Sequence, residues 1–213
     1  MKSRTIREFE ALLAYPGDDR VFSEADLKGL PQPVRRYLSS AIEPGTPLAV
    51  SVRLRMRGSI KIGRWLPFRA KQVLSPRRGF VWAATVAGVI SGSDHYAEGH
   101  GALDWKLVGL VRVVHADGPV ISRSSAERAA AEAVWVPTAL LPRFDGAWSA
   151  ADASHINARY HVEDKTVHVH YQLGDDGTIR SLVFDRWGDP DIRARGVCTV
   201  SVARSPVAPR STV

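Results

Sequence analysis

The chain has 213 residues, 45% of them hydrophobic and 24% charged, which is ordinary for a soluble globular protein and enough for one substantial core. Its formal charge of +7 permits acidic partners, nucleic acid or anionic lipid among them, without selecting one. A single cysteine, Cys198, excludes an intrachain disulfide, and the longest apolar run, 80–90, is too short to span a bilayer. The first residues have no apolar stretch of signal-peptide type, so the expectation is a cytoplasmic protein.

In chain order, Ile6, Phe9, Leu12 and Leu13 mark a short helix that Pro16-Gly17 ends. Ser23 to Asp26 reads as a second helix cap. Pro33 suits a first helical turn, and Val34, Tyr37, Leu38, Ala41 and Ile42 follow at helical spacing. The period then falls to two. Val50, Val52, Leu54 and Met56 alternate with Ser51, Arg53, Arg55 and Arg57, a half-buried strand with one basic face. Strand-like stretches continue through 60–65, 66–74 and 80–86. Residues 89–100 read as one glycine-punctuated strand with a bulge, and 103–113 as another.

The longest helical stretch lies in 118–142. Ser124-Ser125-Ala126-Glu127 fits a capping box, and Ala126, Ala129, Ala130, Ala131 and Ala133 give a small-faced helix. Pro137 ends or kinks it, and Leu140 and Leu141 form an apolar elbow. Three more alternating strands follow, at 156–162, 167–173 and 179–187. The expected fold is α+β: one strongly curved antiparallel β-sheet, a half-barrel of lipoprotein-carrier type, with N-terminal helices and a central cover helix. The expected division is an N-terminal segment at 1–24, a single α+β domain at 25–190, and an irregular basic tail at 191–213 in which 197–202 could add an edge strand.

Seven strings taken jointly carry a family resemblance: LPQPVRRYL at 30–38, VRLRMRGSIK at 52–61, WLPFRAKQVL at 65–74, RGFVWAA at 78–84, GHGALDWKLVGL at 99–110, AERAAAEAVWVPTALLP at 126–142 and RWGDPD at 186–191. Together they resemble a bacterial domain-of-unknown-function family of the DUF6544/DUF6920 type over about 25–191. The resemblance implies no activity. It also implies a further glycine- and aromatic-containing strand region after RWGDPD, where this chain has an arginine- and proline-rich end. A truncated or frame-shifted end, leaving a sheet edge exposed, is the expectation drawn from that difference.

The sequence offers several chemical constellations. His155, His161, His168 and His170 share one parity on two neighbouring strands. Three of them could meet a zinc ion, but a solvated hairpin face is the plainer reading, and no metal is expected. Glu132, one turn before Trp135, could be a buried acid, with Asp94, Asp104 and Asp185 as further acids, but a surface or capping glutamate is the plainer reading. Ser122, Ser124 and Ser125 lack a nucleophile-elbow pattern and read as capping residues. The glycines at 88–101 fit no nucleotide-binding motif, so no cofactor is expected. Arg53, Arg55, Arg57, Lys61, Arg69 and Lys71 form a basic face with little aromatic interleaving. That argues against nucleic acid; a solvated basic face is the plainer reading, with weak contact with an anionic membrane as the alternative.

The expected function is binding of an apolar or amphipathic, lipid-like small molecule in a cavity between curved sheet and helix. Trp65, Phe68, Trp82, Tyr96 and Trp105 are the candidate liners from the strands. Glu132, Trp135, Leu140 and Leu141 are those from the cover. The alternatives are an enzyme using Glu132 in the same cavity and a basic module for anionic partners. No oligomeric state is expected in particular.

Overall fold

A computed structural model describes residues 6–14, 18–187 and 195–201. It is sheet-rich and α+β. The N-terminal part holds α1 (Ile6–Leu13), β1 (Asp18–Val21), a 3-10 turn at Glu24–Leu27, α2 (Gln32–Ala41) and β2 (Pro47–Leu48). Ser23 starts the 3-10 turn, and Asp26 Oδ2 accepts from its backbone N–H at 2.9 Å. Pro33 lies in the first turn of α2, where its missing N–H costs nothing. Val34, Tyr37 and Leu38 turn one face of that helix inward.

Six strands then run as an antiparallel meander in sequence order: β3 (Val52–Ile62), β4 (Arg64–Ser75), β5 (Gly79–Val86), β6 (Ile90–Ala97), β7 (His100–Leu107) and β8 (Val111–Ala116). Helix α3 (Pro119–Ala131) follows, then 3-10 turns at Glu132–Trp135, Pro137–Leu140 and Pro142–Phe144. A second antiparallel sheet has the order β13-β12-β11-β10-β9. Its strands are β9 (Ala147–Ala150), β10 (His155–Val162), β11 (Lys165–Leu173), β12 (Ile179–Trp187) and β13 (Arg195–Ser201).

Three expectations need correcting. The described strands divide into two main sheets, not one, because α3 interrupts the meander and packs against strands of both. The stretch 89–100 is two strands, split by Glu98-Gly99, and 103–113 is likewise split by Val108-Gly109. Both turns place two successive residues at positive φ, the geometry of a tight hairpin, but neither has the Asn-Gly or Asp-Gly signature that announces one. The edge strand allowed at 197–202 is present as β13, Arg195–Ser201, in register with β12 from Ser181↔Ser201 to Trp187↔Arg195. Residues 188–194 and 202–213 lie outside the described part.

The last correction concerns α3. The capping box expected at Ser124 is not its start. Gly118, at φ 98°, is the N-cap, and Pro119 begins the helix. Ser122, Ser125, Ala126, Ala129 and Ala130 are buried at i, i+3, i+4, i+7 and i+8, a continuous small-residue stripe. Ser122 Oγ accepts from Gly101 N–H and donates to Gly118 O, each at 2.9 Å. The stripe lets α3 lie directly on β7.

Alternation gives the six-stranded sheet two distinct faces. The face under α3 carries Leu74, Phe80 and Tyr96, all 0% exposed and joined to the core that includes Ile156, Tyr160 and Tyr171 of the second sheet. On the opposite face α1 covers one end, where Leu13 packs with Val73, Val81 and Ala97. In the second sheet Ile156, Ala158, Tyr160 and Val162 point inward, as do Val167, Val169, Tyr171 and Leu173. The core aromatics Tyr37, Trp148 and Tyr171 pack with centroids 5.7–5.9 Å apart, Tyr37 stacked on Tyr171 and Trp148 tilted against both.

Candidate functional site

A recess of about 1200 Å³ opens on the α1 face of the six-stranded sheet, beyond the end that α1 covers. Cross-strand register builds one wall. Arg55 pairs with Lys71 and Arg57 with Arg69, so four cations stand side by side. Lys106 supplies a fifth from β7. The floor is small and partly hydroxylated: Ala83, Thr85, Ser91 and Ser93. Asp104 is the carboxylate that lines it among the described residues, and Arg112 pairs with that side chain at 3.3 Å. His95 lies at the edge, where burial holds its imidazole pKa below the usual value against the opposing pull of Asp94.

The site is therefore five cations around a small-residue floor, with its carboxylate already partnered. Such a surface favours an anion chemically.

The α3 face of the same sheet holds a second constellation. Phe68, Trp82 and Trp105 lie in a row, with centroids 6.2 and 5.6 Å apart. Arg128 of α3 lies 4.5 Å from the Phe80 ring centroid and 5.3 Å from that of Trp82. It bonds Asp94 Oδ2 at 2.9 Å and Glu132 Oε1 at 2.8 Å. Trp105 Nε1 donates to the other Asp94 oxygen at 2.8 Å, and Gln72 Nε2 donates to Glu132 Oε2. Both oxygens of each carboxylate are thus engaged. The network clamps the end of α3 onto β4 and β6.

The residues expected to line one cavity separate into groups. Phe68, Trp82, Trp105 and Glu132 come together in or beside the clamp. Tyr96 is buried beneath α3, with its hydroxyl accepting from Lys165 Nζ at 3.1 Å. Leu140 and Leu141 are buried in the core. Trp65 and Trp135 are exposed, Trp65 on the α1 face of the β3–β4 hairpin. None of the nine lines the 1200 Å³ recess, which lies on the other side of the sheet from α3.

The histidines of the second sheet do not converge. His155 bonds Asp152, His161 bonds Asp145 at 2.7 Å, and His170 bonds Asn157 at 2.6 Å. Among the described residues no three His, Cys, Asp or Glu side chains are grouped to hold a metal ion. The basic strand face was legible from alternation, but Ser91, Ser93, His95 and Lys106 were not placed on it. The missing signal was the Glu98-Gly99 turn, which sets the parity of β6 against β7. Arg128 was missed because its role needs Asp94, a residue distant in sequence.

A family model described as "Family of unknown function (DUF6544)" matches residues 20–196. The chain belongs to that family. No curated protein and no solved structure matches it.

Proposed function

We propose that this DUF6544 chain is a non-catalytic binder of an anionic amphiphile, acting in the cytoplasm. The β3–β8 sheet serves as an open half-barrel of lipoprotein-carrier kind, with its ligand on the cationic face. One observation carries the reading: Arg55, Arg57, Arg69, Lys71 and Lys106 surround a volume of about 1200 Å³ with no described carboxylate paired to any of the five. Holding unpaired cations side by side on neighbouring strands is unfavourable unless an anion joins them. The volume exceeds the roughly 300–1,000 Å³ of ordinary small-molecule sites, which suits a head group with an attached chain. Thr85, Ser91 and Ser93 offer hydroxyls to the same head group.

The test is lipid extraction with mass spectrometry of the purified chain, followed by titration with soluble lysolipids. Lysophosphatidylglycerol is expected to bind and lysophosphatidylcholine to bind more weakly. Arg55→Glu with Lys71→Glu is expected to weaken the anionic ligand by tenfold or more, since a hydrogen bond to a charged group is worth roughly 1.5–3 kcal/mol. Equal affinity for the two lysolipids, or an unchanged affinity in the double variant, overturns the reading.

A further inference from the structure

The six-stranded sheet turns its chain round at two ends. One end, at 76–78 and 98–99, is tied into the second sheet: Glu163 N–H donates to Arg77 O at 2.8 Å, and Gly99 N–H donates to Glu163 Oε2 at 2.5 Å. The other end has turns at 62–64, 87–89 and 108–110. Of the twelve large apolar side chains left exposed among the described residues, seven are at this end, led by Leu110 (85%), Trp65 (68%) and Val108 (67%). The apolar exposure is thus concentrated, not scattered.

The three turns make one surface. Ala87 N–H donates to Pro67 O at 2.8 Å, and Val108 N–H donates to Val89 O at 2.7 Å, linking each turn to the next. The last pair between β4 and β5 is Phe68↔Val86, so the β3–β4 hairpin runs on alone to Arg64, roughly 13 Å further. Val108 sits at φ 51°, where Asn or Asp would suit both backbone and water better than a β-branched apolar side chain. An apolar residue kept at such a position argues for something that covers it.

Charge decides what that is. Segments 57–69, 85–93 and 105–114 contain Arg57, Lys61, Arg64, Arg69, Lys106 and Arg112 and not one Asp or Glu, and Asp104 just outside them pairs with Arg112 alone among these cations. A second copy of this chain would bring cations against cations. A nucleic acid would pair with the cations but gain nothing from aliphatic turns. Phosphate head groups above an acyl layer match both features.

We propose that this end of the sheet docks on the surface of an anionic phospholipid bilayer. Trp65, Ile62, Val108 and Leu110 enter the head-group and acyl boundary, and Lys61 and Arg64 meet lipid phosphates. No helix of the described residues is long and apolar enough to cross a membrane, and surface docking needs none. A groove of about 800 Å³, lined by Arg57, Pro67, Phe68, Arg69, Thr85 and Gly88, leads from these turns to the cationic recess, sharing Arg57, Arg69 and Thr85 with it. Docking does not depend on a ligand in the recess.

The experiment is co-sedimentation of the full chain with vesicles of phosphatidylcholine alone and of phosphatidylcholine mixed with phosphatidylglycerol, at low and high salt. Binding to the mixed vesicles alone, weakened by salt, is expected. Trp65→Ser with Leu110→Ser is expected to lower the partition by roughly tenfold or more, from the apolar area no longer inserted. Both side chains are exposed, so an unchanged unfolding midpoint shows that the fold is intact. Lys61→Glu with Arg64→Glu is expected to remove the preference for phosphatidylglycerol.

Equal binding to both vesicle types, or binding indifferent to the serine double variant, overturns the proposal. So does self-association without vesicles that the serine variant abolishes, or DNA binding in place of vesicle binding. Lys71→Glu, away from the turns, separates the two readings: it lowers lysolipid affinity if the recess binds, and leaves vesicle docking in place. Displacement from vesicles by excess soluble glycerol phosphate would assign all the binding to the recess and sink the docking surface.

Discussion

Gly101 is where α3 comes closest to the six-stranded sheet. A Cβ there would meet Ser122 Cα and Ser125 Oγ at 2.8 Å and Ser125 Cβ at 2.9 Å. One of those atoms is backbone, so the helix as a whole would have to move. Gly101→Ala is therefore expected to destabilise the fold by about 1–3 kcal/mol, the usual cost of overpacking. A fall in the urea midpoint at constant slope would show it, and an unchanged midpoint would mean that α3 is less closely seated. His95 makes a prediction of a different kind. Burial lowers its folded pKa, so the unfolded chain holds the proton more readily. The resulting cost is absent above the ordinary value near 6.5 and grows as pH falls from there toward the folded pKa. Between about pH 7 and pH 5 the parent chain should lose stability that His95→Gln retains. Asp145, whose pKa is lowered chiefly by its hydrogen bond to His161, acts in a lower range: its contribution is present above the ordinary carboxylate pKa and lost on further acidification. Urea midpoints of both chains at the two pH values are the measurement, and parallel losses would remove His95 as the source.

At the scale of elements, what the sequence made legible depends on whether the signal is local. The strands at 156–162 and 167–173 could be read because Tyr160 and Tyr171 alternate with polar neighbours that face water. The basic face of β3 and β4 was visible for the same reason. The hairpins at Glu98-Gly99 and Val108-Gly109 were not, because their residues lack the usual turn chemistry and are held by the strands on either side. The site was only half legible, since which strand lies opposite Lys71 is a matter of pairing, not of pattern. Helix α3 shows the same limit: its buried stripe is readable in the Ala and Ser spacing, but the clamp at its end is not. Arg128 holds Asp94 and Glu132, whose side chains are 15% and 23% exposed. Arg128→Ala leaves both carboxylates half-buried and uncompensated and should cost about 2–3 kcal/mol, less than for a fully buried pair because some solvent reaches them. Combining it with Asp94→Asn and Glu132→Gln should recover part of the loss. If the triple variant is no more stable than Arg128→Ala, packing over Phe80 and Trp82 matters more than charge.

At the scale of the molecule, two sheets share one core. Tyr160 of the second sheet donates its hydroxyl to Ala130 O of α3, which also packs on β5, β6 and β7 of the first. Leu74, Phe80 and Tyr96 belong to the same buried cluster as Ile156, Tyr160 and Tyr171. Neither sheet can expose its inner face without exposing that of the other, so the chain should unfold in a single transition. Two single-tryptophan chains test this, one keeping Trp82 in the first sheet and the other Trp148 in the second. Coincident urea transitions are expected, and separated ones would mean that α3 does not couple the sheets. The β3–β4 hairpin beyond Phe68 stands outside this cooperative unit, since its pairing with β5 ends at Phe68↔Val86. Its amides at 60–66 should exchange hydrogen far faster than those of β5, which have a neighbour strand on both sides. Vesicles containing phosphatidylglycerol should slow exchange at 60–66 and at 108–110 and leave β5 unchanged, because a docked surface protects the turns it covers while the shared core is closed already.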